Sequence, residues 1–240
     1  MGDRTRLTGP FPFFFEISLM GNTNSCSYPA RIFYVCLFAV AMGYFEAMVV
    51  VYLRELYYPE GFSFPLKLIS PEMIILELCR EAATIVMLIS VSAITARKFW
   101  NRFGYFIILF GVWDIFFYIW LKVTINWPST FFEWDILFLI PLPWIGPVIA
   151  PVLVAVLMIA IGLSITHLFH KGYNFRPTVL TWMLAITATL LILYSFMRDI
   201  EATLHQRIPE PYYYPLLLAG LVLYAAAYVI SYREVKRTLG

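Results

Sequence analysis

Glu46 and Asp114 are ionisable side chains deep inside two separate apolar stretches, each embedded in the same local pattern. One stretch reads Gly43-Tyr44-Phe45-Glu46 and then Tyr52-Leu53-Arg54; the other reads Gly111-Val112-Trp113-Asp114 and then Trp120-Leu121-Lys122. Glycine, aromatic, acid, aromatic, leucine and base fall at identical offsets. A duplicated unit with a paired acidic centre is one reading of the match. The narrow residue alphabet of membrane helices is the other. An ionisable group at membrane depth costs several kcal/mol, so its presence points to a function. Further along, Glu77, Arg80, Glu81 and Thr84 are spaced three or four residues apart and share one helix face.

These residues propose a chemistry. The carboxylates of Glu46, Glu77, Glu81 and Asp114 face the single guanidinium of Arg80, and in a low-dielectric interior they cannot all ionise. The surplus must take protons or bind a cation. That is the chemistry of a small proton- or cation-coupled carrier, or of a membrane subunit in a larger complex. Glu46 and Asp114 would be the exchangeable groups, and Glu77 and Glu81 would share that work. Arg80 would balance charge or hold an anionic substrate group.

Two other classes stay open. An intramembrane enzyme acting on a lipid or quinone head group at the outer leaflet would use one of these acids as general acid–base catalyst. A structural scaffold or assembly factor would use the same charges only to pin helices together. No organic cofactor is expected. A carboxylate-bound metal held by Glu77, Glu81 and His205 is the inorganic alternative. His167 and His170 stand one turn apart beside Lys171, where cations meet a helix C-terminus favourably. The sequence contains no His-Glu-x-x-His, no Gly-x-Ser-x-Gly and no Gly-x-x-x-x-Gly-Lys.

The elements that position these groups follow from composition. Hydrophobic residues make up 61% of the chain and charged residues 13%, with a mean hydropathy of +0.78. Soluble domains carry about 25% charged residues. The expectation is an all-α, polytopic integral membrane protein: a bundle of six transmembrane helices with a proline-broken fourth segment. A span needs about 20 apolar residues. The qualifying segments are 32–53, 72–96, 103–122, 136–168, 178–198 and 212–232. A single helix over 136–168 would be about 50 Å long against about 30 Å of hydrocarbon. Prolines at 141, 143, 147 and 151 interrupt it. Either the segment is broken inside the membrane, or 136–146 lies at the outer surface and the span begins near Pro147.

Basic residues set the expected orientation. Arg31, Arg97, Lys98, Arg102, Lys171, Arg176, Arg233, Lys236 and Arg237 fall on the side of the termini, with Arg4 and Arg6. Arg54, Lys67, Lys122, Arg198 and Arg207 fall opposite. The positive-inside rule then places both termini in the cytoplasm, and Glu46, Glu77, Arg80, Glu81 and Asp114 in the outer half of the bilayer. The expected organisation is a cytoplasmic or interfacial arm over 1–30, a transmembrane domain over 31–232 and a basic tail over 233–240. The cluster Phe11-Pro12-Phe13-Phe14-Phe15 before Glu16 is too short and broken for a signal-peptide core, and Met20 is an alternative start. The partners expected are the lipid bilayer, a small polar solute or lipid head group, and other membrane proteins. A net charge of +2 gives no reason to expect nucleic acid.

Overall fold

The computed structural model describes residues 27–67, 69–140 and 142–237. Most of the arm expected over 1–30, and the last three residues of the tail, lie outside the described residues. Helix α1, Tyr28–Tyr57, starts where the Ser27 side chain accepts the Ala30 amide, with proline in the first turn. Helix α2, Pro71–Thr95, is built the same way, with Ser70 accepting from Met73. Helix α3, Phe99–Ile125, stops at Asn126, whose φ of 54° is left-handed. Then come α4 (Ile149–His170), α5 (Val179–Met197), the short α6 (Ile200–Leu204) and α7 (Tyr214–Arg237).

Five helical stretches are long and apolar enough to cross a membrane: Tyr28–Tyr57, Phe99–Ile125, Ile149–His170, Val179–Leu204 and Tyr214–Arg237. This is the architecture of a multi-pass helical membrane protein. Helix α2 has 25 residues, but Glu72, Glu77, Arg80 and Glu81 crowd its first part, and it falls outside that set.

The segment expected over 136–168 divides differently from a broken helix. Its beginning is an antiparallel β-hairpin, β1 (Trp134–Phe138) with β2 (Trp144–Pro147), and α4 starts only at Ile149. The all-α expectation therefore carries one small sheet. The cause is the residue set. Pro143 and Pro147 have no N–H to give a helix, whereas Trp134, Ile136, Phe138, Trp144 and Ile145 suit paired strands. Asp135 pairs with Gly146 and Ile136 with Ile145, and the register shifts between Ile136 and Phe138. Pro151 sits near the start of α4 without breaking it.

Helix α3 is the hub, packed on α1 along one side and on α4 along another, while α5 packs on α7. Close approach explains the small residues. A Cβ on Gly43 would lie 3.0 Å from the carbonyl oxygen of Trp113, and one on Gly111 would lie 2.7 Å from that of Ala155. Gly104 and Gly162 meet likewise, and Gly162 would press its Cβ to 2.7 Å from the Gly104 oxygen.

Both ends of the bundle are chemically distinct. Tyr28 stacks on His170 with centroids 4.7 Å apart, and Val235 packs with Leu168 and Phe175. The first turns of α1, α3 and α5 thus share one end with the last turns of α2, α4 and α7. That end carries Arg31, Arg97, Lys98, Arg102, Lys171, Arg176, Arg233, Lys236 and Arg237, and among its described residues Glu234 is the acid. The hairpin lies at the opposite, acidic end.

Replacing Gly162 by Val is expected to destabilise the protein by about 1–3 kcal/mol, because the Gly104 carbonyl, with the Ile107 and Ile108 side chains, blocks the new atoms. Thermal melting in detergent reads this out. An unchanged midpoint would mean that α3 and α4 do not meet backbone to backbone there.

Candidate functional site

Two charged centres occupy the acidic end, and the hairpin lies between them. The first joins α1 to α2. Arg80 pairs with Glu46, and its Nη2 lies 2.8 Å from Glu77 Oε2. Thr84 Oγ1, one turn further along α2, donates to Glu46. Glu46 is only 2% exposed, so this pairing is what makes its burial tolerable. The protein-facing stripe of α2 includes Glu81, Thr84, Leu88 and Ser92, as the helical spacing of Glu77, Arg80, Glu81 and Thr84 predicts.

Glu81 does something the sequence did not indicate. Both of its carboxylate oxygens accept the backbone N–H of Leu139, at 2.9 and 3.1 Å. It fastens the end of β1 to α2.

The second centre joins α1 to the start of β1. Arg54 Nη2 lies 3.0 Å from Asp135 Oδ1. The guanidinium carbon sits 3.7 Å from the Trp127 ring centroid and 4.4 Å from that of Phe62. Arg54 is 8% exposed and Asp135 3%. Within this buried pair one donor and one acceptor stay open: Arg54 Nη1 and Asp135 Oδ2 have no hydrogen-bond partner among the described residues. Tyr118 lies beside Asp135. Burial pushes the Asp135 carboxyl above the usual carboxylate range, while the Arg54 guanidinium pulls it down.

Asp114 is not bonded to Arg80 and lies within electrostatic reach of Asp135. No ion pair or hydrogen bond to its side chain occurs among the described residues. The expected convergence of all four acids on one guanidinium is therefore corrected. Glu46 and Glu77 meet Arg80, Glu81 follows it on α2, and Asp114 has no bond to it. The two halves of the sequence match also part company, since Arg54 is buried against Asp135 while Lys122 Nζ donates to the carbonyls of Asn126 and Pro128.

His205 Nδ1 lies 2.6 Å from Glu201 Oε2 on the exposed α6 turn. Among the described residues no three His, Cys, Asp or Glu side chains form a metal-holding group, so Glu77, Glu81 and His205 are not brought together. Arg54, Asp135 and Tyr118 are the residues sequence reasoning missed. Asp135 meets the criterion that singles out Glu46, an acid within an apolar run, but it stands one residue before the expected fourth segment. No protein-family model matches this chain, and no curated protein or solved structure does either.

Arg80→Gln leaves Glu46 buried without a cation and is expected to cost about 3–5 kcal/mol. The double variant Glu46→Gln/Arg80→Gln should recover most of that loss. Denaturation in mixed micelles checks both, and purely additive losses would show that the two side chains do not interact.

Proposed function

We propose that this protein handles protons or a small cation inside the membrane, as a small carrier or as the membrane subunit of a larger complex, with Asp114 as the exchanging group. The charge balance of the acidic end carries the reading. Glu46, Glu77, Glu81, Asp114 and Asp135 are buried or half-buried there, against Arg54 and Arg80. Carboxylates without a counter-ion at membrane depth take up protons or cations, and Asp114 is the one with no bonded partner. The open Arg54 Nη1 and Asp135 Oδ2 supply a donor and an acceptor in the same charged layer. Arg80 holds Glu46 and Glu77, so in this reading they position helices and do not exchange.

The proposal includes α2 as a sixth span, with its charges turned to α1 and the hairpin. It also includes the basic end in the cytoplasm, from the excess of Lys and Arg there.

A second reading has its own support. Glu46, Glu77 and Glu81 are each bonded within the protein. A scaffold whose charges only fix α1, α2 and the hairpin would show the same bonds.

Purified protein in vesicles containing a pH-sensitive dye separates the two. The expected result is proton flux driven by a proton or cation gradient, falling to the empty-vesicle background in Asp114→Asn while the variant melts like the wild type. Wild-type vesicles no leakier than empty ones under proton, sodium and potassium gradients would sink the carrier reading and favour the scaffold.

A further inference from the structure

Away from the charged layer, α3, α4, α5 and α7 enclose a cavity of about 440 Å³. Its walls run along α4 from Val154 to Ile165, about 17 Å of helix. They continue to Phe99 and Trp100 at the start of α3, and to Phe175 and Pro177 in the α4–α5 connection. The cavity therefore reaches from the basic end past the middle of the bundle. Its lining is almost wholly hydrocarbon and aromatic. Three of the hydroxyls along it are already engaged, Thr189 and Tyr224 with each other and Tyr228 with Ser164. A polar solute would find little to bind there.

The cavity also has an opening to lipid and a charged rim. Phe99, Trp182 and Ile186 line it and yet are 67%, 47% and 52% exposed, so its side between α3 and α5 faces the bilayer. At the basic end, Arg97 and Lys98 immediately precede Phe99, and Arg176 stands between the lining residues Phe175 and Pro177. Lys98 bonds to Asn174, which ties the start of α3 to the connection carrying Arg176. Arg97 and Arg176 are exposed and make no ion pair among the described residues. Helix α3 begins without a side-chain cap, leaving its first N–H groups available to an anion.

We propose that this cavity binds one anionic phospholipid from the leaflet at the basic end, with an acyl chain between α3, α4, α5 and α7 and the phosphate at Arg97, Lys98 and Arg176. Neither the proton reading of Asp114 nor the scaffold reading is needed for it. An apolar slot open to the bilayer takes a hydrocarbon chain, and a cationic rim at headgroup level selects an anionic head.

Delipidated full-length protein, titrated with phosphatidylglycerol and with phosphatidylcholine of identical chains, tests this by native mass spectrometry. Wild type is expected to hold one phosphatidylglycerol about tenfold or more tightly than phosphatidylcholine. Ala185→Trp fills the cavity and should remove both lipids, with Ile161→Trp filling it from α4 should the first variant fail to fold. Lys98→Gln/Arg176→Gln should erase the preference for phosphatidylglycerol while phosphatidylcholine binding stays. Undiminished binding in a folded cavity-filled variant would overturn the proposed chain site. Equal affinity for the two lipids in wild type would overturn the proposed phosphate site.

Discussion

Backbone that is not helical must still find hydrogen-bond partners when it sits against an apolar bundle, and residues 134–147 impose that constraint here. Strand pairing satisfies part of it, and the amides of Val148 and Ile149 reach the carbonyls of Glu133 and Phe131. A side chain on a neighbouring helix takes one further amide, and a side-chain ion pair fastens the other end of the strand. Glu81 of α2 takes the Leu139 amide at one end of β1, and Arg54 of α1 takes Asp135 at the other. The charged layer is thus partly a consequence of the hairpin. Two of its members are where they are because a strand needs anchoring there.

That division clarifies what the remaining charges are for. Arg80 links α1 to α2 through Glu46 and Glu77, and α2 otherwise contributes a narrow buried stripe. Removing a buried pair as a unit costs little compared with removing one partner, so such pairs specify geometry more than they add stability. Among the described residues Asp114 has neither a strand to anchor nor a cation to meet. It is set apart by what its neighbours already do. The same helix, α3, lines the apolar cavity with its first turns and carries Asp114 and Tyr118 further along. Any movement of α3 is therefore felt at both ends of the bundle.

The sequence made the helices legible because apolar length is a local signal; the caps Ser27, Ser70 and Thr178 emerge only from the structure. The shared face of Glu77, Arg80, Glu81 and Thr84 was legible for the same reason, since helical periodicity is fixed. The fourth segment was legible in part: a span beginning near Pro147 agrees with α4 starting at Ile149, whereas the strand pairing before it had no local signal. A buried hairpin and a membrane helix draw on the same apolar residues, and only the prolines separate them. Arg54 and Asp135 are far apart in sequence, and one of them lies in a strand, so helical spacing gave no hint of their pairing. Arg54 read as an interfacial base because its partner was out of view. Asp114 read as a companion of Glu46 because the local pattern repeats, yet the pattern carries no information about which helix each copy faces. Gly43 faces α3 and Gly111 faces α4.

The rings of Phe62 and Trp127 stand nearly at right angles, 87° between planes with centroids 6.0 Å apart, and the guanidinium of Arg54 sits in the corner they make. A recess of that shape accepts a flat, delocalised cation and gives a round ammonium much less. Lysine would keep the sign of the charge but lose the stacking and the fork that reaches Asp135. The demand at position 54 is for planarity as much as for charge, and the loops carrying the two rings are held to the helix by the ion that fills their angle.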